Sequence, residues 1–309
     1  MRKPRPTVEL LARLLPRGAF VRLYGRAKTG AWPNLRDPRR FSERLLRRLL
    51  DPGDELPLMV RTGDKYTLRG YVEERLGSGY LPELHDVIER NERITAARLA
   101  SWPERAVLKA SHASRWMAFI DPSSDDPDVL DGLVRTWLAR SYAGVRQEPH
   151  YALMTPRAVL EEDLRRDGDP PPDLKFFVID GVTRFIMRDS TRFRGLRRFI
   201  TDDEWRPLAV RYPISVGTDA LPPEVEPPPP ATLAHMRDAA TVLAEGLGFV
   251  RVDFYEVDGR PLVGEMTHFP SAGAPRFVPR SFDAELGAVW GERRPIDARW
   301  RYVAAGGDR

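Results

Sequence analysis

Two stretches of this chain, Leu174 to Met187 and Phe249 to Met266, alternate with the two-residue period of strands, and each is interrupted near its middle by Asp-Gly. Asp180-Gly181 and Asp258-Gly259 are strong hairpin signals, because both central residues of the favoured tight turn need positive φ. Hairpins late in the chain, helical periods early and no regular strand-helix alternation predict α+β lobes, not a doubly wound sheet.

The helical periods are distinct. Asp37-Pro38 opens a segment in which Phe41, Leu45, Leu46, Leu49 and Leu50 recur among arginines, an amphipathic helix. Its arginine face has two readings, an acidic lipid surface or polyanion on one side and a solvated face around apolar docking residues on the other; the second is simpler. Asp64 as N-cap, Leu68, Val72 and Leu76 at four-residue spacing, and Gly77 as stop mark another helix. Leu130, Leu133, Val134, Trp137 and Leu138 trace one apolar stripe, and Leu233, Met236, Ala240, Leu243 and Leu247 another. Pro222 to Pro230, with six prolines in nine positions, reads as an extended spacer.

Composition narrows the chemistry. At 309 residues the chain exceeds what one core usually holds, so two or three lobes are expected. A net charge of +4 from 49 basic and 45 acidic residues does not demand a nucleic-acid partner. The absence of Cys excludes disulfides, thiol catalysis and thiolate metal sites, and five His make a His-rich metal centre a poor expectation. No apolar run approaches the length of a membrane span, and Met1 to Pro6 leads into no cleavage signal, so a cytoplasmic location is expected.

The carboxylates near the C-terminus carry the sharpest signal. Strand alternation puts Val250, Val252 and Phe254 on one face and Arg251, Asp253 and Tyr255 on the other; across the turn, Leu262, Gly264 and Met266 oppose Val263, Glu265 and Thr267. A plain two-residue turn pairs Asp253 with Gly264 and throws Glu265 to the wrong face, whereas one extra residue in a Gly-centred bulge pairs Asp253 with Glu265. Two opposed carboxylates repel unless a cation lies between them, and such an oxygen-rich pair beside phosphates suits Mg²⁺. From spacing alone, a solvated acidic face with Arg251 neutralising one acid is the simpler reading.

The run Phe249 to Gly259 followed by Gly264-Glu265-Met266-Thr267 resembles the metal-binding hairpin of the ATP-grasp superfamily, in particular the TupA-like ATP-grasp family associated with teichuronopeptide and polysaccharide biosynthesis. Upstream blocks resemble that family in the same order, including Asn34 to Leu45, Asp64-Lys65-Tyr66 with Arg69, Val107-Leu108-Lys109, and Asp173 to Phe177, so the resemblance runs from Leu35 to Gly273. It implies an ATP-grasp fold in which two α+β lobes enclose ATP, preceded by a helical or mixed N-terminal region. The corresponding division is residues 1–100 for that region, 101–165 for the first lobe, 166–300 for the second with the metal hairpin, and 301–309 for a tail.

The resemblance also implies roles. Lys109 and Lys175 contact ATP phosphates, Lys175 nearest the transferred group; Asp253 and Glu265 hold Mg²⁺, with Thr267 where many relatives have Asn; Arg251 stabilises the oxyanion of acyl transfer. Glu161, Glu162 and Asp163 fall in the adenine and ribose hinge. There the spacing of Thr155, Val159, Leu160 and Leu164 reads as a helix, but the family pattern wants a strand, and the strand is expected because the segment is short. Ser111 opens the phosphate loop Ser111 to Trp116, which keeps His112 but lacks the glycines; this implies weaker ATP binding, phosphate contacts from the Ser114 and Arg115 side chains, or a different nucleotide pose. His112 itself reads as a substrate contact or as a satisfied polar residue.

The function so implied is an ATP- and Mg²⁺-dependent carboxylate-amine ligase working through an acyl phosphate, with a uronic or amino acid as the carboxylate and an amine cosubstrate, in polysaccharide or secondary-metabolite biosynthesis. Arg184, Arg188, Arg192, Arg194, Arg197 and Arg198 read either as a site for an anionic substrate or as a solvated basic loop. Alternatives are a kinase on the same lobes, a glycosyltransferase using Asp125-Asp126 or Asp202-Asp203, and a basic binding protein without nucleotide chemistry.

Overall fold

The computed structural model describes residues 14–143, 147–166, 168–190, 197–212, 226–292 and 294–302, with only the backbone given at 190 and 197. Residues 222–225 of the expected proline spacer, Arg192, Arg194, the Arg197 side chain and most of the tail lie outside the described residues, and the spacer's last residue, Pro230, already opens a helix.

The described residues include, before the first strand, the helices α1 (Arg17–Thr29), α2 (Phe41–Leu50), α3 (Leu56–Gly63) and α4 (Thr67–Leu76). The α2 helix forms where the Phe-Leu spacing predicts it. Glu43 caps its entry by accepting from the backbone N–H groups of Asn34, Arg39 and Arg40. It lies between other elements, not on the surface: Phe41, Leu45 and Leu46 are fully buried, and Arg48 pairs with Glu55 and donates to the His268 carbonyl at 3.3 Å. The α4 helix stops at Gly77, as expected, but its N-terminal flanking residue is Tyr66, not the expected Asp64, whose carboxylate instead accepts from the Tyr66 and Thr67 N–H groups in the turn that leads in.

Two antiparallel sheets follow. The first joins β1 (Leu84–Ile88), β2 (Ala106–Ala110), β3 (Met117–Ile120) and β4 (Ala158–Glu162) in the order β1-β4-β2-β3. Its edge is separated in sequence by α5 (Ala96–Ala100) and α6 (Pro127–Leu138). Ala106, Leu108, Ala110, Ala158 and Leu160 face a core shared with Leu130, Val134 and Trp137 of α6, leaving Val107, Lys109, Val159 and Glu161 on the opposite face. The segment from Val159 is therefore a strand, as the family pattern requires, because its alternate residues bury against α6.

The second sheet has the order β7-β6-β5-β8-β9, from β5 (Asp173–Ile179), β6 (Val182–Ser190), β7 (Arg197–Thr201), β8 (Phe249–Val257) and β9 (Arg260–Thr267). One face, with Leu174, Phe176, Val178, Val250, Val252, Phe254 and Val263, packs on α7 (Pro230–Leu243). The other face is divided along its length. Phe177, Ile179, Phe185 and Phe249 are sealed by Phe41 and Leu45 of α2 and by Phe282 and Leu286 of α8 (Ser281–Ala288), whereas the far end carries charge. Each fully buried Phe contributes about 1.5–3 kcal/mol relative to exposure, so the apolar half anchors the charged half. The result is an α+β fold of two mixed helix-sheet lobes preceded by helices.

Candidate nucleotide and metal site

Both Asp-Gly pairs make two-residue turns. Asp180 and Gly181 have φ of 51° and 74°, Asp258 and Gly259 of 53° and 75°, and the flanking pairs are Ile179↔Val182 and Val257↔Arg260. In the second hairpin the register slips between Phe254↔Val263 and Asp253↔Glu265, leaving Gly264 as an unpaired bulge. Asp253 and Glu265 are thus directly opposed, the arrangement the functional reading requires. A Cβ on residue 264 would lie 2.8 Å from the Tyr255 ring, so glycine is what the bulge accommodates. The bulge corrects one expectation: Val263 does not share the face of Glu265 but sits in the α7 core, because the extra residue lies between them.

Arg251, two residues before Asp253, bridges the two acids. Its Nε and Nη2 donate to Asp253 at 2.6 and 2.5 Å, and Nη2 also donates to Glu265 Oε1 at 2.9 Å. Thr267 donates to the same Glu265 oxygen at 3.1 Å. The guanidinium neutralises both carboxylates, not one. Burial and the facing Glu265 push Asp253 up to about 7 against Arg251 and Lys175, while for Glu265 the pull of Arg251, Lys65 and Lys175 outweighs burial and holds it down at about 2. Strand β5 supplies Lys175 directly across from Asp253, with its Nζ 3.5 Å from Asp253 and also paired with Asp173. Burial opposes its charge, but Asp253 and Asp173 leave its pKa raised.

The first lobe presents the matching cations. Lys109 donates to Glu161 at 2.6 Å, and Glu161 is also paired with Arg69 at 3.0 Å. Although burial disfavours the Lys109 ammonium, Glu161 and, more weakly, Tyr255 and Glu265 of the other lobe raise its pKa. Lys65, to which the spacing assigns no role, joins this cluster. It donates to the Ala113 carbonyl at 2.7 Å, and burial lowers its pKa even though Glu265 lies within electrostatic reach. Its only sequence signal is its place in Asp64-Lys65-Tyr66. Tyr151 is a second addition, a buried phenol raised well above its ordinary pKa and within the field of Glu265 and Arg251.

The remaining predicted residues separate. Ser111 is fully buried, its hydroxyl donating to Asp64 at 2.7 Å, so it fastens the loop to α4. Glu162 is exposed. Asp163 is committed to Arg165 and Arg105 at 2.7 and 3.1 Å. His112 turns into the first-lobe core against the Trp137 carbonyl at 3.2 Å, which favours its reading as a satisfied polar residue. Arg115 adopts φ 67°, a conformation glycine takes without the cost of about 1–2 kcal/mol. The arginines proposed for an anionic substrate are otherwise engaged: Arg184 is buried and donates to the carbonyls of Glu292, Val289 and Ile179, Arg188 donates to the Glu226 carbonyl, and Arg198 holds Asp189 bidentately. Asp126 N-caps α6, Asp125 accepts from the Asp121 N–H, and Asp202 accepts from Glu204 and Arg206 N–H groups, so these acids close turns. Among the described residues no three His, Cys, Asp or Glu side chains gather as a metal cluster, and no helix is long and apolar enough to cross a membrane.

The sequence matches the TupA-like ATPgrasp family profile over residues 43–290. The chain belongs to the TupA-like ATP-grasp family. Among solved structures, similar ones include the D-alanine–D-alanine ligase from Bacillus anthracis complexed with ATP, at 14% identity over 66% of this chain and 52% of that one, with a TM-score of 0.39. The ATP-grasp ligase PsnB complexed with minimal precursor is 13% identical over 74% of this chain and 59% of that one, with a TM-score of 0.40. The D-alanine–D-alanine ligase from Helicobacter pylori is 12% identical over 69% and 53%, with a TM-score of 0.40. The chain thus spans little more than half the length of these ligases, and no curated protein matches it. Lys109 of the first lobe and Lys65 of the N-terminal helical region lie within electrostatic reach of Glu265 in the second lobe.

Proposed function

We propose that this chain is an ADP-forming carboxylate-amine ligase that activates a substrate carboxylate with ATP. The observation that supports it is the directly opposed Asp253-Glu265 pair, with Lys175 across from Asp253 on β5 and Lys109 of the other sheet within electrostatic reach of Glu265. Lysine ammonium groups are compact charges suited to triphosphate oxygens, and a pair from facing lobes can grip one chain of phosphates from both sides.

The donor set fits Mg²⁺. Asp253, Glu265 and the Thr267 hydroxyl offer hard oxygens on one strand face, and two carboxylates are what this ion takes when phosphates and water complete its shell. When bound, Mg²⁺ supplies neutralisation of the β- and γ-phosphate charge. The chain's own residues do the rest. Lys109 and Lys175 orient the triphosphate, and the substrate carboxylate displaces ADP at the γ-phosphorus to give an acyl phosphate. The amine then attacks the acyl carbon, phosphate leaves with the bonding pair, and the amine proton passes to solvent. Arg251 lies on the face where the tetrahedral oxyanion develops and carries a fixed positive charge to it. Glu161 holds Lys109 protonated and aimed, so it acts here as a positioning residue.

The family association makes a uronate or amino acid the first acids to try, with an amino acid as amine. The test is incubation of purified protein with ATP, Mg²⁺ and such pairs, read by ADP release and by mass spectrometry of the organic product. An amide supports the reading; ADP with a phosphorylated alcohol replaces it with a kinase, and an absence of nucleotide binding removes it.

A further inference from the structure

Among the described residues, a group of cations without ion-pair partners lies on the outer face of α1 and the loop that follows. Phe20, Val21 and Gly25 of α1 are buried, so Arg22, Leu23 and Arg26 form its outer surface at helical spacing. From residue 14 to residue 36 the sequence contains no acid. Leu23 and Trp32 are 41% and 62% exposed, large apolar groups of a kind that folded chains mostly cover, and the Arg26 guanidinium lies 5.9 Å from the Trp32 ring centroid. Arg26 also donates to the Gly30 carbonyl, and the Arg280 guanidinium approaches the same glycine, so the two segments form one continuous surface. Beside it opens a cavity of about 200 Å³ lined by Thr29, Arg40, Arg276, Arg280, Ser281 and Asp283, among others, the Asp283 carboxylate accepting from the Ser42 N–H and hydroxyl. Among the described residues no carboxylate forms an ion pair with Arg22, Arg26, Lys28, Arg276 or Arg280.

We propose that this face, α1 with Trp32 and the Arg276-Arg280 cavity, docks the protein on an anionic phospholipid surface. Charge complementarity selects an acidic partner, because fixed cations without counter-ions gain most from a surface dense in phosphate. The exposed Leu23 and Trp32 select lipid over an acidic polymer, since an aliphatic side chain gains from the acyl boundary and nothing from a hydrated polyanion, and an indole favours the headgroup level. This inference concerns a surface separate from the nucleotide site and does not rest on the proposed ligation.

The test is co-sedimentation of the full chain with vesicles of phosphatidylcholine alone or of phosphatidylcholine and phosphatidylglycerol in equal parts. Binding only to the acidic vesicles, weakened by salt, is the expected result. Arg276→Gln and Arg280→Gln should each lower the partition coefficient about fivefold, and Leu23→Ser with Trp32→Ser should lower it further at fixed charge. Thermal unfolding of each variant separates these losses from misfolding. No association with acidic vesicles overturns the proposal. So does binding that ignores the Leu23 and Trp32 changes and is matched by soluble poly-glutamate, which assigns the face to a polyanionic polymer.

Discussion

The two hairpins of the second sheet share a turn and differ in what their bulge does. Each has Asp-Gly in positive φ, and each inserts one unpaired residue a few positions beyond the turn. In the β5-β6 hairpin that residue is Arg184, and in the β8-β9 hairpin it is Gly264. Arg184 is only 1% exposed and uses its guanidinium to fasten the Val289 and Glu292 carbonyls to the sheet. Gly264 contributes no side chain, and its effect is to turn Glu265 to the face of Asp253. The same local irregularity therefore serves as a tether in one place and as an aiming device in the other. The inserted residue and the element packed above it make the difference.

The largest effect should come from removing the tether. Arg184→Ala leaves several buried carbonyls without their donor and should destabilise the fold by about 4 kcal/mol, measured by urea unfolding. A loss below about 1 kcal/mol would show that the first bulge is incidental. Arg251→Ala leaves Asp253 and Glu265 facing each other with only Lys175, 3.5 Å from Asp253, nearby and should cost about 3 kcal/mol in metal-free buffer. Added Mg²⁺ should recover part of that stability, and a variant indifferent to Mg²⁺ would separate the carboxylate pair from any metal. Gly264→Ala forces the Tyr255 ring to move and should cost about 2 kcal/mol while lowering ATP turnover about tenfold or more, by spoiling the aim of Glu265. Unchanged turnover would mean that the bulge does not set the site. Smallest, Gly181→Ala and Gly259→Ala should each cost about 1 kcal/mol, nearly equally, because their φ values match within a degree. A large inequality between them would show that the turns, as well as the bulges, are specialised.

Much of this contrast is legible in residue order. Alternation and Asp-Gly locate both hairpins, and counting from the turn shows that Asp253 and Glu265 meet only if a residue is inserted, with Gly264 the residue able to occupy the place. Alternation alone puts Val263 on the wrong face because parity reverses at a bulge. The arginines from Arg184 to Arg198 look like one basic group in sequence, yet Arg184 is an internal strap and Arg198 is spent on Asp189. Whether an arginine finds a carbonyl, a carboxylate or solvent depends on what packs opposite it, which no periodicity records. Lys65 escaped notice for the same reason: one lysine in a helix-start motif has no pattern that points to a glutamate two hundred residues away.

The sequence by itself determined the α+β class, the helix stops and strand turns, and the family to which the chain belongs, because these follow from short-range sterics, periodic burial and ordered motifs. Only the tertiary structure decided that Arg251 sits between both acids, that Ser111 is bound to Asp64, and that Lys65 and Lys109 come within electrostatic reach of Glu265. Those contacts join residues far apart in the chain, and their Coulomb energies depend on distance and burial, quantities that exist only once the lobes have packed.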